Sequence, residues 1–136
     1  AWASLLGPLQ TAYFKHGSDP KSIPLSDDSI NGLARGTLSA FEAMQSPIGA
    51  VYYATTDTAA NHGSQMVNRY SVSLENNFSL LAGLKMYWDI LDAHRGEHLP
   101  GGKPVSAEMI RVEKIMSRIL HFIQTYAFDH ENNVIM

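Results

Sequence analysis

Apolar residues recur three and four positions apart through most of this chain, the spacing of helices that bury one face. The clearest run lies between positions 105 and 128. Met109, Val112, Ile115, Met116, Ile119, Phe122, Ile123 and Tyr126 fall on one broad arc, with Arg111, Lys114, Arg118, His121 and Thr125 opposite. Ser106 is placed to cap the start, since its hydroxyl can accept from a free amide of the first turn. Val105 and Ile110 have the spacing of a hydrophobic staple across that cap. Glu108 falls in the first turn, where the helix dipole favours a negative charge. Asp129 and Glu131 oppose the dipole at the far end, so the helix is expected to stop near Phe128.

Four further patterns precede it. Pro8 suits a first helical turn and Gly17 the position after the last, with Leu9, Ala12, Tyr13 and His16 on one face between them. Residues 17–24, with Asp19-Pro20, read as a loop. Ser26 or Asp27 can cap a second helix through Ile30, Leu33, Ala34, Thr37, Leu38, Phe41 and Met44, closed by Pro47. Ser46-Pro47 then opens a third segment with Ile48, Val51, Tyr52, Thr55 and Ala59 on its apolar face and Gly63 at its end. Residues 51–58 are β-branched and aromatic enough for a strand. No partner strand is evident, so a helix is expected. A fourth segment starts at Ser64 and runs through Val67, Tyr70, Leu74, Phe78, Leu81, Leu84, Trp88 and Leu91 to His94, as one helix or as two broken near Asn76-Asn77. Residues 96–104 form a Gly- and Pro-rich loop.

These patterns predict an all-α fold: an antiparallel bundle of four to five helices, one domain covering residues 1–136. Trp88, Phe41, Phe78, Phe122, Leu84 and Ile119 are the expected core, each contributing about 1.5–3 kcal/mol when buried.

Composition narrows the possible chemistry. The chain has 136 residues, 45% hydrophobic and 17% charged, enough for a real core rather than a disordered tail. A net charge of −3 gives no bulk attraction to nucleic acid. The absence of cysteine removes disulfides, thiolate metal sites and thiol nucleophiles, but fixes no compartment. No apolar run is long enough to predict a membrane-spanning helix. The sequence begins Ala1-Trp2-Ala3-Ser4, without an initiator methionine or basic leader, as a processed chain or a segment of a longer one would. Asn77-Phe78-Ser79 is a glycosylation sequon, and Asn77 or Ser79 could equally cap a helix.

One short run resembles a catalytic signature. His94-Arg95-Gly96-Glu97-His98 has the H-x-x-E-H order of inverted zinc metallopeptidases, in which two histidines one turn apart hold the metal and the glutamate acts as base. Gly96 interrupts the helix that this chemistry needs, so a histidine-bearing loop is the simpler reading. Metal binding through His94 and His98 is the alternative. There is no G-x-S-x-G elbow or H-E-x-x-H, and Pro104 occupies the hydroxyl position that a phosphate-binding loop needs after Lys103. No cofactor motif is present.

Two features point to association. Gly32, Gly36 and Ala40 form a small-residue row at i, i+4 and i+8, suited to a close helix crossing within the chain or with a second copy. Arg111, Lys114 and Arg118 form a basic stripe. It is either a docking face for an anionic partner or one side of a hairpin paired with Asp89 and Asp92; the hairpin is the simpler expectation. Among Tyr52, Tyr53, Tyr70, Tyr87 and Tyr126, any that stay exposed would suit an interface. The expected function is thus a non-catalytic helical domain that binds another protein or itself. The alternatives are a small metal-binding or metal-dependent hydrolytic protein centred on His94, Glu97 and His98, and a helical pocket for an apolar ligand lined by Met66, Met86, Met109 and Met116.

Overall fold

Proline placement and apolar spacing locate the first helices as expected. The computed structural model describes residues 5–52, 58–59, 66–67, 74–129 and 134–135. Helix α1 (Gly7–Lys15) carries Pro8 in its first turn, and the Ser18 amide returns to the Tyr13 carbonyl at 2.7 Å to close its end. A 3₁₀ turn (Pro20–Ser22) follows, capped by Asp19, whose carboxylate accepts from the Lys21 amide. The next helix starts as a wider π-type segment (Ser29–Ala34) and tightens into α2 (Arg35–Met44).

The third expected helix does not form where the chain is described. At Gln45 the backbone turns extended, and Ser46 to Gly49 make a tight turn in which the Gly49 amide donates to the Ser46 carbonyl. Gln45 and Val51 then face each other across an antiparallel bridge. Gly49 adopts φ +103°, and a Cβ there would lie 2.1 Å from the carbonyl oxygen of Arg118. Only glycine fits this approach. Further on, β1 (Thr58–Ala59) pairs antiparallel with β2 (Met66–Val67), supplying the partner strand that the sequence did not reveal. At its described positions, Val51, Tyr52, Thr58 and Ala59, this stretch is extended rather than helical. In the fourth segment Met66-Val67 is strand, and helix α3 (Leu74–Ala93) is continuous through Asn76-Asn77. The rest of both segments lies outside the described residues, as do Tyr53 and Tyr70.

The loop after α3 reverses the chain through Leu99 amide to Lys103 carbonyl and Val105 amide to Glu97 carbonyl hydrogen bonds, so that α4 (Val105–Phe122) packs along α3 as a hairpin. The start of α4 differs from the cap expected. Pro104 precedes the first turn with no side-chain cap, Ser106 is inside the helix, and Ile110 is 55% exposed, so no staple forms. A wider turn (Ile123–Ala127) ends the helix close to the expected place and leads into a second short pairing, β3 (Phe128–Asp129) with β4 (Val134–Ile135). Apart from these two-residue strands, the fold among the described residues is all-α, and no helix there is long and apolar enough to cross a membrane.

One hydrophobic cluster joins these elements. Leu5, Leu9, Ile23, Ile30, Leu38, Leu84, Ile90, Leu91, Ile115 and Ile119 are fully buried or nearly so. Leu84, Ile119, Phe41 and Phe122 lie in the core as expected. Phe78 and Trp88 do not: Phe78 is 37% exposed and Trp88 only half-buried, because both lie on the outer side of α3. Gly83, rather than the Gly32 row, makes the close approach, since a Cβ there would sit 2.8 Å from the Leu5 side chain.

Candidate functional site

Two regions of the α3–α4 hairpin carry polar or exposed apolar side chains in unusual positions. The first is a buried carboxylate. Glu108 lies three residues after Val105 and four before Val112, so helical spacing turns it inward with the apolar arc, and it is 0% exposed. An unpaired charge there would cost several kcal/mol. It is compensated from three directions: the Tyr87 hydroxyl donates to Oε2 at 3.0 Å, Lys103 Nζ lies 3.0 Å from Oε1, and Arg111 Nη1 lies 3.4 Å away. Burial and then the Glu108 charge push the Tyr87 hydroxyl far above its ordinary range, so it remains a donor. Arg111 extends the network to α2, bonding Glu42 and the Ser39 hydroxyl. Burial works against its charge, but Glu42 and Glu108 outweigh burial and hold Arg111 above its ordinary range. The cluster thus ties α2, α3, α4 and the 96–104 loop together.

The second region is a groove on the outer side of the hairpin, about 340 Å³ in volume, lined by Lys85, Trp88, Glu113, Met116, Ser117 and Leu120. The Trp88 indole N–H donates to Glu113 at 2.9 Å, and the Lys85 ammonium, paired with Asp89, sits 4.8 Å from the centroid of the Trp88 ring. These contacts fix the indole while leaving the apolar surface beside it open. Leu120 is 42% exposed at the other end of the groove.

The basic stripe is dispersed. Arg111 pairs with Glu42 and Glu108, not with Asp89 or Asp92, which pair instead with Lys85 and Arg95. Arg118 donates to the Gln45 side chain and the Ser46 carbonyl. Lys114 is exposed, with no acidic side chain within ion-pair distance among the described residues. The stripe therefore faces α2, and the expected hairpin pairing is replaced by one to an element 70 residues away in sequence, as in the Gln45 to Ile115 carbonyl bond. Gly32, Gly36 and Ala40 are exposed, and a Cβ on either glycine would meet nothing within 4 Å, so the row makes no crossing within the described residues.

The histidine run is split. His94 is buried, with Nδ1 2.9 Å from Glu97 and Nε2 2.8 Å from the Ile23 carbonyl, whereas His98 is exposed on the loop. Among the described residues no three His, Asp or Glu side chains converge as a metal site. The four methionines do not share one cavity: Met109 is buried in the core, Met116 lines the outer groove, Met86 is half-buried, and the Met66 side chain lies outside what is described. The sequon asparagine is enclosed. Asn77 is 1% exposed, accepting from the Val51 amide and donating to the Val51 carbonyl, so it pairs with the bridge segment as a neighbouring strand would.

Sequence reasoning missed the Glu108 network and the Asn77 bridge. A signal for the first was present, because Glu108 shares the inward register of Val105, Val112 and Ile115. Compared with known protein families, characterised proteins and solved structures, the chain matches none.

Proposed function

We propose that this chain is a non-catalytic interaction module, a single antiparallel helical bundle that takes up an apolar segment of another protein in the α3–α4 groove. The observation that carries this reading is the exposed apolar lining beside Trp88, Met116 and Leu120. Trp and Met are common at interface cores, and an aromatic side chain already held in one orientation loses little entropy when covered. The buried network around Glu108 supports the same reading from the other side. It uses charge to join helices around the fully buried Glu108 carboxylate, while apolar side chains line the outer groove.

A photo-reactive side chain at position 120, with a second protein carrying it at Glu75, tests the proposal in the native cell. A discrete adduct from position 120 and none from position 75 is expected. The same pattern from both sites overturns it. Mass analysis of the adduct tells a foreign partner from a second copy of this chain.

A further inference from the structure

We propose that the cavity between the end of α2 and α4 is a binding site for a phosphate group, held between Lys114 and Arg118. The cavity is about 310 Å³ in volume and is lined by Glu42, Gln45, Lys114, Ile115, Ser117 and Arg118. It lies towards α2, on the other flank of α4 from the Trp88 groove, and needs nothing from an apolar partner.

The charges around it do not balance. The chain as a whole is acidic, with a net charge of −3, so a surplus of cations in one place is not imposed by composition. Lys15, Lys21, Lys85, Arg95, Lys103 and Arg111 each lie within ion-pair distance of a carboxylate. Arg35, Lys114 and Arg118 have no such partner among the described residues. The last two line one cavity, and residues four apart on a helix are neighbours on its surface. Glu42 is the acid in the lining, and Arg111 holds it. Arg111 and Lys103 together offset Glu42 and Glu108, which leaves Lys114 and Arg118 in excess.

Arg118 is oriented without being neutralised. Its Nη1 donates to Gln45 Oε1 at 3.2 Å and its Nη2 to the Ser46 carbonyl at 2.9 Å, both uncharged acceptors. Gln45 is itself fixed, because its Nε2 donates to the Gly49 carbonyl at 2.8 Å and the Ile115 carbonyl at 3.1 Å. A guanidinium has more N–H groups than these bonds use, so donors remain for a ligand. Lys114 is exposed and its ammonium is free to close on the same ligand. Unpaired carbonyls at a helix C-terminus repel anions. At the end of α2, however, the Glu42 and Met44 carbonyls already accept from the Gln45 and Tyr52 amides. A phosphate monoester carries a charge of about −1.5 to −2 at neutral pH, with three acceptor oxygens. That matches a pair of cations better than the single charge of a carboxylate does.

Nitrogen-15 spectra of the intact chain at neutral pH and constant ionic strength, titrated with phenyl phosphate, inorganic phosphate and benzoate, test the site. Phenyl phosphate should shift the Arg118 Nε and the Gln45 side-chain amide saturably, with Kd on the order of 1 mM. Benzoate should bind about tenfold more weakly. Arg35, equally without a carboxylate partner but outside the cavity lining, should not respond. Lys114→Gln, at an exposed position, should weaken phenyl phosphate about fivefold, and Arg118→Lys, which keeps the charge and loses the fork, about threefold. Arg95→Gln is the control and should leave the affinity unchanged. Inorganic phosphate binding within about threefold of phenyl phosphate means that the phosphate group alone is read, and a larger advantage for the ester assigns the site to an organic phosphate; either result supports the proposal. Shifts that do not saturate, benzoate binding as tightly as phenyl phosphate, equal shifts at Arg35, or an affinity unchanged in both Lys114→Gln and Arg118→Lys overturn it.

Discussion

Helix α4 has two flanks, and the chain treats them oppositely. On the flank towards α2, charge is drawn in and consumed: Arg111 reaches Glu42 and Ser39, and Arg118 reaches Gln45 and Ser46. On the flank towards the outside of α3, apolar side chains stay open around Trp88 and Leu120. Reading polarity alone assigns the two flanks the other way, with the basic stripe in solvent and the aromatic side chains in the core. What decides is whether another element lies alongside. The 45–52 connection brings α2's end against α4, with Gly49 in contact with the Arg118 carbonyl, whereas no described element covers the outer groove.

The largest test of this contrast is to remove the charge that anchors the closed flank. Glu108→Ala leaves Lys103, Arg111 and the Tyr87 hydroxyl without their shared partner, and should cost about 3–5 kcal/mol in urea unfolding. A loss below about 1 kcal/mol would mean that the carboxylate is not holding the helices together. Gly49→Ala forces a left-handed backbone onto a residue with a Cβ and drives that Cβ into the Arg118 carbonyl, so about 2–4 kcal/mol should be lost. A near-neutral result would show that the turn does not pack so closely on α4.

Pairing on the closed flank can be read from double-mutant cycles. Arg111→Ala and Glu42→Ala should couple by about 0.5–1 kcal/mol, a modest value because Glu42 is partly exposed and solvent screens the pair. Arg111→Asp and Asp92→Arg should be additive. Coupling between the latter two would restore the hairpin pairing that the sequence suggested.

A pH test follows from Asp27. Burial raises its carboxyl, but the Ser29 amide, His16 and Lys15 outweigh burial and hold it below the usual carboxylate range. Its contribution is therefore present above the ordinary carboxylate pKa of about 4 and is lost as pH falls below it. Asp27→Asn should flatten the acid limb of stability against pH, and an unchanged limb would exclude the Asp27 contacts as its source. The smallest effect is expected on the open flank. Leu120→Ser should change stability by less than about 1 kcal/mol while weakening partner cross-linking at the groove.

Much of the fold was legible because helical spacing is a local property. Leu9 and Ala12, Leu38 and Phe41, Leu84 and Leu91, and Val112, Ile115 and Ile119 all turn inward as their period requires. The extended stretch after Gln45 was misread because its residues satisfy a helical period and a β preference together. Competition between them is settled by remote contacts: Asn77 holding Val51, and β2 pairing with β1. Of the candidate site, the residue types were visible but their grouping was not. His94 and His98 are near neighbours in sequence, yet one is buried against Ile23 and the other is exposed.

By itself the sequence determined the helical class, the inward register of α2 and α4 and the Gly- and Pro-rich break between the last two helices, because these follow from turn geometry and backbone sterics within a few residues. The buried face of α3 was shifted from the one expected, with Leu80, Tyr87 and Ile90 inside and Phe78 and Trp88 outside. Only the tertiary structure decided which charges are paired, that Glu108 is the interior hub, that Gly83 rather than Gly32 marks a close approach, and that the outer groove is open. Those outcomes depend on which distant element lies beside each face, and neither side-chain type nor spacing encodes that neighbour one residue at a time.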